Sequence, residues 1–525
     1  MEKGKIRMAY ACIIAFFVLA FVTFVLTPLM EDQRVFTASA NIASYKGVNL
    51  FYDAYNTWEL KGVFNRVLVY AMYNIATLFT DFGTFPFERA MKLIYACVIL
   101  CISFVSVILS CKNKTKTFRF FAFLLLSIIF LATGRGEAFQ AEMSSTLFLV
   151  LGFALYINAE QSKHYETPKL LAAGLCIGIT FFFKSATLIM SIAFVAAAYL
   201  WDVNHNCKPA FRKLLLLVAG SVIMLTIGIA SILIINPDEM QDMLYASMFQ
   251  HTLLNGGERS IFGIGHIFID KYINASLFRI PFLIIGTTAF LLNLSVSLKN
   301  KRYDVTLVHL ALWMVPALFV IISNKYFGYH YITYISPSII EIVLFAESAP
   351  RRIKTRIGIC VMSVAALVAV SFYIGTLSAF SPIFKAYIAM TRKCYVQNER
   401  YAEMKFNEPV LYLANGRTAY VLGADSYLKY YYPMPLMTIS DDSEYAEVKC
   451  RLDCLQKIEQ YDGEYIVCQE YIFSDGKYAR IKEKIEREYE KIGEINIYST
   501  TQKKFKCDSE EDFKYCDLFK RKSNL

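Results

Sequence analysis

Two adjacent carboxylates, Glu31 and Asp32, stand directly after the first apolar segment of the chain, Met8 to Leu29. Asp53 adds a carboxylate further along the same polar stretch. Carboxylates are costly near a bilayer, so an acidic pair at the end of a hydrophobic segment needs a reason. Either the pair only marks the end of a membrane helix, or one member is a general base that takes a proton from an attacking group.

Lys184 is an isolated cation in the apolar sequence FFFKSATLIM, with its nearest charged neighbours at Lys169 and Asp202. Burying such a lysine at the centre of a membrane costs about 2.5 to 3.5 kcal/mol. Its side chain therefore either extends to the outer headgroups, as at an ordinary helix end, or binds an anion.

His330 lies in the aromatic sequence KYFGYHYITYISP, close to Lys325 and next to Tyr331. A belt of aromatic side chains at a membrane surface explains the tyrosines but not Lys325 and His330. A lone histidine near a span end is more often a packing residue, but here the neighbouring lysine favours a binding role.

Arg135 and Glu142 share the short polar stretch TGRGEAFQAE between two apolar segments. The glycines beside Arg135 allow backbone to approach a ligand closely, although a short turn explains them as well. Carboxylates at one place and cations at others are what group transfer from a lipid phosphate requires. A base takes a proton from the acceptor, and fixed positive charges offset the phosphate leaving group. Candidate catalytic residues are Glu31 and Asp32, and candidate substrate-binding residues are Asp53, Arg135, Glu142, Lys184, Lys325, His330 and Tyr331.

No group of residues has the spacing of a metal site, so no cofactor is expected. The remaining possibility is a divalent cation gathered by Glu31, Asp32 and Asp53, because hard cations prefer carboxylate oxygens.

The composition indicates which elements must position these residues. With 56% hydrophobic and 15% aromatic residues and a mean hydropathy of +0.40, the chain is predicted to be an α-helical polytopic membrane protein. The net charge of +10 comes from Lys and Arg clusters between apolar segments, and no nucleic-acid-binding pattern is present. About eleven segments have the length of a membrane helix. They are 8–29, 92–110, 118–133, 143–159, 169–183, 187–201, 214–235, 280–298, 306–323, 332–346 and 357–379.

Basic residues gather in alternate loops between these segments, such as Lys112 to Arg119 and Arg351 to Arg356. Basic loops stay in the cytoplasm, so the N-terminus is predicted to be cytoplasmic and the C-terminal part extracytoplasmic in the cell membrane. The candidate site residues then all lie on the outer face. Residues 1–379 form the predicted transmembrane domain, and its first outer loop, 30–90, is expected to hold interfacial helices.

Two segments of that loop carry the expectation of interfacial helices. In residues 34–45, Val35, Ala38, Ile42 and Tyr45 recur at helical spacing, which favours a helix with its apolar side in the membrane interface. Residues 62–79 are more apolar, but crossing the membrane there would reverse every later loop and contradict the charge pattern.

Residues 380–525 are mixed polar and charged and are predicted to form an extracytoplasmic α/β domain. Strands are expected at 409–413, 418–422, 464–467, 495–500 and 513–519, with an amphipathic helix at 477–492. Six of the thirteen cysteines, Cys394, Cys450, Cys454, Cys468, Cys507 and Cys516, lie in this part. They either form disulfides, in an arrangement that sequence does not define, or remain free thiols.

The order of these features resembles the GT-C membrane glycosyltransferases that use polyprenyl-phosphate sugars, such as the protein O-mannosyltransferase and aminoarabinose transferase families. The acidic pair followed by Gly47 and Tyr52-Asp53 resembles the start of their first outer loop, and Lys61-Gly62 is similar to a later element. Three further blocks resemble later parts of the family: EAFQAE at 137–142, LAAGLCIGI followed by Lys184, and YHYITYISP at 329–337. Many members read Asp-Glu where this chain reads Glu31-Asp32-Gln33, so either acid is the base. The distance to Gly47 favours Asp32.

The resemblance implies an inverting sugar transfer on the outer face. Asp32 would accept the proton of an acceptor hydroxyl as it attacks the anomeric carbon, and polyprenyl phosphate would depart toward Lys184 and His330, with Arg135 as a further phosphate partner. The implied partners are a polyprenyl-phosphate-linked sugar, membrane lipids, and a glycan, lipid or protein acceptor.

Two other functions fit the same sequence. An envelope polysaccharide polymerase or ligase also joins lipid-linked glycans but relies mainly on Arg and His. A lipid or solute transporter would favour charges or broken helices near the middle of the membrane.

Overall fold

The computed structural model describes residues 2–27, 29, 31–45, 62–135, 138–161, 165–205, 211–235, 237, 261–322, 328–352, 357–378, 401, 404, 406–414, 417–428, 456–469, 479–497 and 514–523. They belong to two compact units. The first unit is Met1–Leu26, Tyr95–Ile234 and Ala246–Ser381, and the second is Thr27–Ile94, Ile235–Tyr245 and Pro382–Leu525.

Helices make up most of the described chain. In chain order they are α1 (Glu2–Leu26), α2 (Glu31–Ser44), α3 (Val63–Thr77), α4 (Phe85–Ser110), α5 (Lys116–Gly134), α6 (Ala141–Gln161), α7 (Glu166–Phe183), α8 (Met190–Asn204), α9 (Phe211–Ile235), α10 (Ile261–Asn274), α11 (Phe282–Lys299), α12 (Tyr303–Ile322), α13 (Ile335–Arg352), α14 (Ile357–Ser378), α15 (Arg417–Leu422) and α16 (Ala479–Glu488). The 3₁₀ turns Ser185–Ile189 and Gly328–Tyr334 precede α8 and α13, and the π turn Ala275–Arg279 follows α10.

Ten of the described helices are long and apolar enough to cross a membrane, namely α1, α4 to α9, α11, α12 and α14. Many of their apolar side chains are exposed, as expected of helix faces in contact with lipid. The prediction of a polytopic helical membrane protein is confirmed.

The predicted span 332–346 has a different form from the other ten. It begins in the 3₁₀ turn Gly328–Tyr334 and continues in α13, which carries Glu341 in its interior. Glu341 is fully buried: His309 Nδ1 of α12 lies 2.8 Å from Oε1, and Asn293 Nδ2 of α11 donates to Oε2 at 2.6 Å. A carboxylate is tolerated at this depth because neighbouring helices supply its partners.

Two glycine contacts let α7 and α9 cross closely. A Cβ on Gly174 would lie 2.3 Å from the carbonyl oxygen of Leu217, and a Cβ on Gly220 would lie 2.2 Å from that of Leu171. The hydroxyl of Ser221 also donates to the Gly174 carbonyl at 3.0 Å. Small residues at such a crossing let backbones approach, which is a main source of helix association in lipid.

The second unit contains a four-stranded mixed sheet in the order β1-β2-β4-β3. The strands are β1 (Leu411–Leu413), β2 (Tyr465–Gln469), β3 (Tyr489–Ile497) and β4 (Lys514–Arg521). β1 and β2 are parallel, and β4 runs antiparallel to both β2 and β3. The predicted C-terminal α/β domain is confirmed as a fold class.

Two local predictions in this domain are wrong. Residues 418–422 lie in the short helix α15, although Val421 and the neighbouring apolar residues favoured a strand. The predicted helix 477–492 ends at Glu488, because β3 begins at Tyr489 and pairs with β4 along its length. Pairing within the sheet overrides the helical spacing of Ile485, Tyr489 and Ile492.

The apolar side of α2 packs within the second unit. Ala38 and Ile42 are buried in one cluster with the sheet residues Tyr412, Val467 and Leu518. Ala38 and Ile42, on the side of α2 that the sequence assigns to the membrane interface, are therefore covered by protein.

Two cysteines of the C-terminal domain are described, Cys468 in β2 and Cys516 in β4, and both are fully buried. Cys468 is a free thiol. The sequence left disulfides and free thiols open, and for Cys468 the structure shows a free thiol. Cys394, Cys450, Cys454 and Cys507 lie outside the described residues.

Candidate active site

Three charged or polar side chains from distant parts of the first unit meet in one buried cluster, Glu142, Lys184 and His330. Lys184 Nζ donates to Glu142 Oε1 at 2.6 Å and lies 3.4 Å from His330 Nε2. His330 Nε2 is 3.7 Å from the same Glu142 oxygen. The side chains of Glu142 and His330 are almost wholly buried, and that of Lys184 is 16% exposed.

Lys184 is held at a break between two helices. It ends α7 in an extended conformation, φ −162° and ψ 120°, and the 3₁₀ turn Ser185–Ile189 follows. The carbonyl of Thr180 accepts the Lys184 N–H at 3.1 Å, and the carbonyl of Lys184 accepts the Thr187 N–H at 2.9 Å. The Thr187 hydroxyl lies 2.8 and 2.6 Å from the same two oxygens and adds a side-chain contact at the break. The break carries Lys184 toward Glu142 rather than along the axis of α7.

Glu142 lies in the first turn of α6, where a negative charge is favoured by the helix dipole. Three residues further along, the Ser145 hydroxyl is 3.3 Å from the Thr187 hydroxyl, which joins α6 to the turn after Lys184. The two partners of the ion pair are thus positioned by a second, uncharged contact between the same elements.

His330 comes from the 3₁₀ turn Gly328–Tyr334, and the Thr333 hydroxyl donates to its carbonyl at 2.8 Å. The ring of Phe319 in α12 packs edge-on against His330 and lies 5.3 Å from Lys184 Nζ. An ammonium is attracted to such an aromatic face, so Phe319 adds a contact that holds Lys184 in place. Sequence alone had no signal that distinguished Phe319 from other aromatic residues of the spans.

The contact between Lys184 and His330 constrains the tautomer of the imidazole. A lysine ammonium has only donors, so a hydrogen bond from Lys184 to His330 Nε2 requires the proton of a neutral imidazole to be on Nδ1. Protonation of Nε2 would instead direct a donor toward Glu142. The cluster has net charge zero with neutral His330 and gains one positive charge when His330 is protonated.

Arg135 caps α5 in the same unit and is 7% exposed. Its guanidinium lies 5.9 Å from the ring centre of Tyr373, whose hydroxyl is 3.4 Å from the hydroxyl of Thr23. Burial lowers the pKa of Arg135, and the nearby Tyr373 acts in the opposite direction. Contact with an aromatic ring is a common way to hold a guanidinium in a fixed plane.

Tyr331 does not share the contacts of His330. Its hydroxyl donates to the carbonyl of Phe268 at 3.1 Å, and its ring packs against Phe268 and Tyr272. Arg279, which sequence reasoning did not single out, lies on Gly328, where an added Cβ would come within 2.3 Å of Arg279 Cδ. This places another cation beside the turn that carries His330.

The remaining predicted site residues lie at the edge of the described chain or beyond it. Glu31 and Asp32 are the first two residues of α2, described for their backbone only. Asp53 and Lys325 lie outside the described residues. No group of three or more potential metal ligands occurs in the described part of the chain, and Glu31, Asp32 and Asp53 are not covered by that statement.

Comparison with known proteins identifies the fold of the chain. No protein-family model and no curated protein matches the chain. Among solved structures, the chain is similar to ArnT from Cupriavidus metallidurans bound to undecaprenyl phosphate, with 11% identity, a TM-score of 0.51, and coverage of 99% of this chain and 98% of ArnT. The chain has the GT-C fold. The resemblance inferred from the sequence blocks is thereby confirmed at the level of the fold.

Structures of the Archaeoglobus fulgidus oligosaccharyltransferase also match this chain, with lower TM-scores. The complex with Zn and sulfate has 13% identity and a TM-score of 0.42. The match covers 95% of this chain and 72% of the oligosaccharyltransferase chain. The form tethered to an acceptor peptide has 14% identity and a TM-score of 0.39. The match covers 96% of this chain and 74% of the oligosaccharyltransferase chain.

Proposed function

We propose that this GT-C chain is an integral membrane glycosyltransferase that moves a sugar from a polyprenyl-phosphate donor to a cell-envelope acceptor. The transfer inverts the anomeric centre, Asp32 is the general base, and the reaction takes place on the outer face of the cell membrane. The N-terminus is cytoplasmic and the C-terminal domain extracytoplasmic.

The observation that carries this proposal is the cluster of Glu142, Lys184 and His330. Three ionisable side chains from three elements converge there, and such groups inside a membrane domain are expensive unless they are paired or functional. The pair with Glu142 fixes the direction of the Lys184 side chain. A lysine held in this way still has further N–H groups, which suit the tetrahedral oxygens of a phosphate.

The chemistry requires a charge to appear on the leaving group. The acceptor oxygen forms a bond to the anomeric carbon while the bond from that carbon to the phosphate oxygen breaks, and its electron pair leaves with polyprenyl phosphate. The acceptor proton goes to Asp32. The phosphate gains one negative charge in this step, so cations near it stabilise the transition state more than the bound donor.

His330 suits this change of charge. Lys184 offers a fixed positive charge. His330 can take up a proton from water at Nε2, which breaks its hydrogen bond with Lys184; the attraction of Glu142, 3.7 Å away, then offsets the repulsion of Lys184, 3.4 Å away. A negative charge on the leaving phosphate favours this uptake. Arg135 and Arg279 are further cations in the same unit for binding the anionic donor.

The test is a transfer assay with purified protein in lipid nanodiscs. The protein is incubated with a panel of polyprenyl-phosphate sugars and a crude envelope acceptor fraction, and the released polyprenyl phosphate is measured by mass spectrometry. We expect release with at least one donor and its loss in Asp32→Asn and Lys184→Ala. The control variant is Lys299→Ala, which removes an exposed lysine at the end of α11.

Each outcome bears on the proposal. Release by the wild type and by Lys299→Ala, but not by the two site variants, supports it. A wild type that binds the donors and never releases polyprenyl phosphate overturns it, and movement of intact donor across a vesicle membrane would favour a transporter instead.

A further inference from the structure

Glu88, in the first part of α4, is a fully buried carboxylate with four polar contacts inside the second unit. Its Oε2 accepts the backbone N–H of Leu29 at 3.0 Å. Its Oε1 lies 3.0 Å from Arg34 Nε and 2.9 Å from Arg34 Nη2. The hydroxyl of Tyr420 in α15 donates to the same oxygen at 3.1 Å.

These contacts compensate for the burial of a charge. An ionised carboxylate with no exposure is stable only when it is paired and hydrogen-bonded. Arg34 is itself buried, and its guanidinium also lies 5.6 Å from the ring centre of Tyr420. The three side chains therefore depend on one another, and removal of any one takes a polar contact from the others.

The positions that Glu88 holds lie on both sides of the acidic pair. Leu29 precedes Glu31 by two residues, and Arg34 follows Asp32 by two residues at the end of the first turn of α2. Anchoring both Leu29 and Arg34 to one carboxylate determines where the backbone of the acidic pair lies and how the first turn is rotated.

The C-terminal domain holds the other end of the same helix. The Asn41 side chain donates to the carbonyl of Gly423 at 2.9 Å, and the Tyr45 hydroxyl donates to that carbonyl as well. Gly423 directly follows α15, the helix that carries Tyr420, and adopts a positive φ of 65°. The segment 420–423 thus contacts α2 at its beginning, through Glu88, and at its end.

We infer that Glu88 and Tyr420 are positioning residues for the proposed general base, through which the C-terminal domain sets the orientation of α2. This inference rests on the proposed function. Neither residue touches reacting atoms; they act by holding Leu29 and Arg34. A displacement of about 1 Å in a catalytic group can reduce a rate by about a hundredfold. Loosening the contacts of Glu88 with Leu29, Arg34 and Tyr420, which we call the Glu88 clamp, therefore affects turnover more than binding.

The test compares two conservative variants of buried tyrosines in the same core cluster. Tyr420→Phe removes the hydroxyl that reaches Glu88. Tyr412→Phe, the control, removes a hydroxyl that donates to the carbonyl of Ala424 at 3.1 Å and makes no contact with Glu88. For both, kcat and KM for the donor are measured per folded molecule, together with hydrogen–deuterium exchange of peptides covering residues 29–45.

We expect Tyr420→Phe to lower kcat about tenfold with KM within about a factor of two, and to speed exchange in the first turn of α2. Glu88→Gln should have a larger effect, since it also removes the charge that pairs with Arg34. Tyr412→Phe should leave kcat and α2 exchange close to wild type.

Equal kcat and equal exchange in Tyr420→Phe and Tyr412→Phe would overturn the positioning role. Faster α2 exchange in Tyr420→Phe, combined with no transfer by the wild type on any donor, would instead overturn the proposed function. The conclusion that the Glu88 clamp orients α2 would still hold. If Glu88→Gln does not fold, the comparison of Tyr420→Phe with Tyr412→Phe still tests the positioning role.

Discussion

Lys184 and Glu142 are 42 residues apart in the chain, and Lys184 Nζ nevertheless lies 2.6 Å from Glu142 Oε1. The helices α6 and α7 form an antiparallel hairpin, so the start of α6 and the end of α7 lie at the same end of the bundle. The ion pair therefore joins the start of α6 to the end of α7. His330 joins the pair from a third element, which makes the cluster a junction between the hairpin and the turn before α13.

Breaking the ion pair on one side should cost stability as well as function. Lys184→Ala leaves the buried Glu142 carboxylate without its cation, and removal of one partner of a buried pair typically costs about 3 to 5 kcal/mol. We expect a lower unfolding temperature for Lys184→Ala and for Glu142→Ala. The double variant should lose less than the sum of the two, as measured by thermal unfolding in detergent. Additive losses would mean that the two side chains do not interact.

His330 should matter for turnover more than for folding. In His330→Gln, an amide oxygen can still accept from Lys184, but no side chain can take up a proton beside Glu142. We expect donor binding close to wild type and kcat lower by about 10²-fold or more, the size of a general acid–base contribution. Isothermal titration with polyprenyl phosphate and single-turnover kinetics measure the two separately. A variant that loses binding and turnover equally would assign His330 to binding alone.

The sequence predicted the membrane spans well because apolar length is a local property. Candidates near the cluster could also be chosen from their type, since Glu142, Lys184 and His330 are charged or polar groups at the ends of apolar segments. Their meeting at a common point could not be derived, because it depends on helix packing. The burial of α2 against the C-terminal sheet was missed for the same reason: Ala38 and Val467 are far apart in the chain, and an amphipathic helix looks the same whether lipid or protein covers it.

Local propensity failed at two places in the C-terminal domain. Residues 418–422 have β-favouring composition but form α15, whose hydroxyl group at Tyr420 reaches Glu88. Ile492 has helical spacing from Ile485 but lies in β3 beside β4. Glu88 itself was overlooked, because one glutamate at the start of an apolar segment is ordinary in sequence.

The crossing of α7 and α9 should not tolerate a side chain at its glycines. In Gly220→Ala, the new Cβ would come within 2.2 Å of the Leu171 carbonyl oxygen, and backbone cannot move aside easily. We expect a marked loss of folded protein in detergent, judged by size-exclusion chromatography. Gly375→Ala in α14 is the matched control, because a Cβ there meets nothing within 4 Å, and alanine has the higher helix propensity. Equal yields of the two variants would contradict the close crossing.

The buried thiols of the C-terminal sheet should resist alkylation. Burial raises the pKa of the Cys468 thiol well above its ordinary value, and neighbouring Cys516 and Asp517 act in the same direction. The reactive thiolate is therefore scarce at pH 8 and increases only as the pH rises. We expect mass spectrometry to show iodoacetamide adducts at Cys468 and Cys516 after denaturation without reductant and none before it. Adducts that appear only after reduction would indicate disulfides.

The choice between Glu31 and Asp32 is open to a direct test, because the two are the first residues of α2. Successive residues of an α-helix point about 100° apart, so only one of the pair can face an acceptor. We expect Asp32→Asn to lower kcat by about 10²- to 10⁴-fold, and Glu31→Gln by less than about tenfold. Both changes preserve size and should leave the unfolding temperature near that of the wild type, so single-turnover transfer per folded molecule distinguishes them. The reverse result would make Glu31 the base, and the clamp formed by Glu88 would then orient a different carboxylate on the same turn.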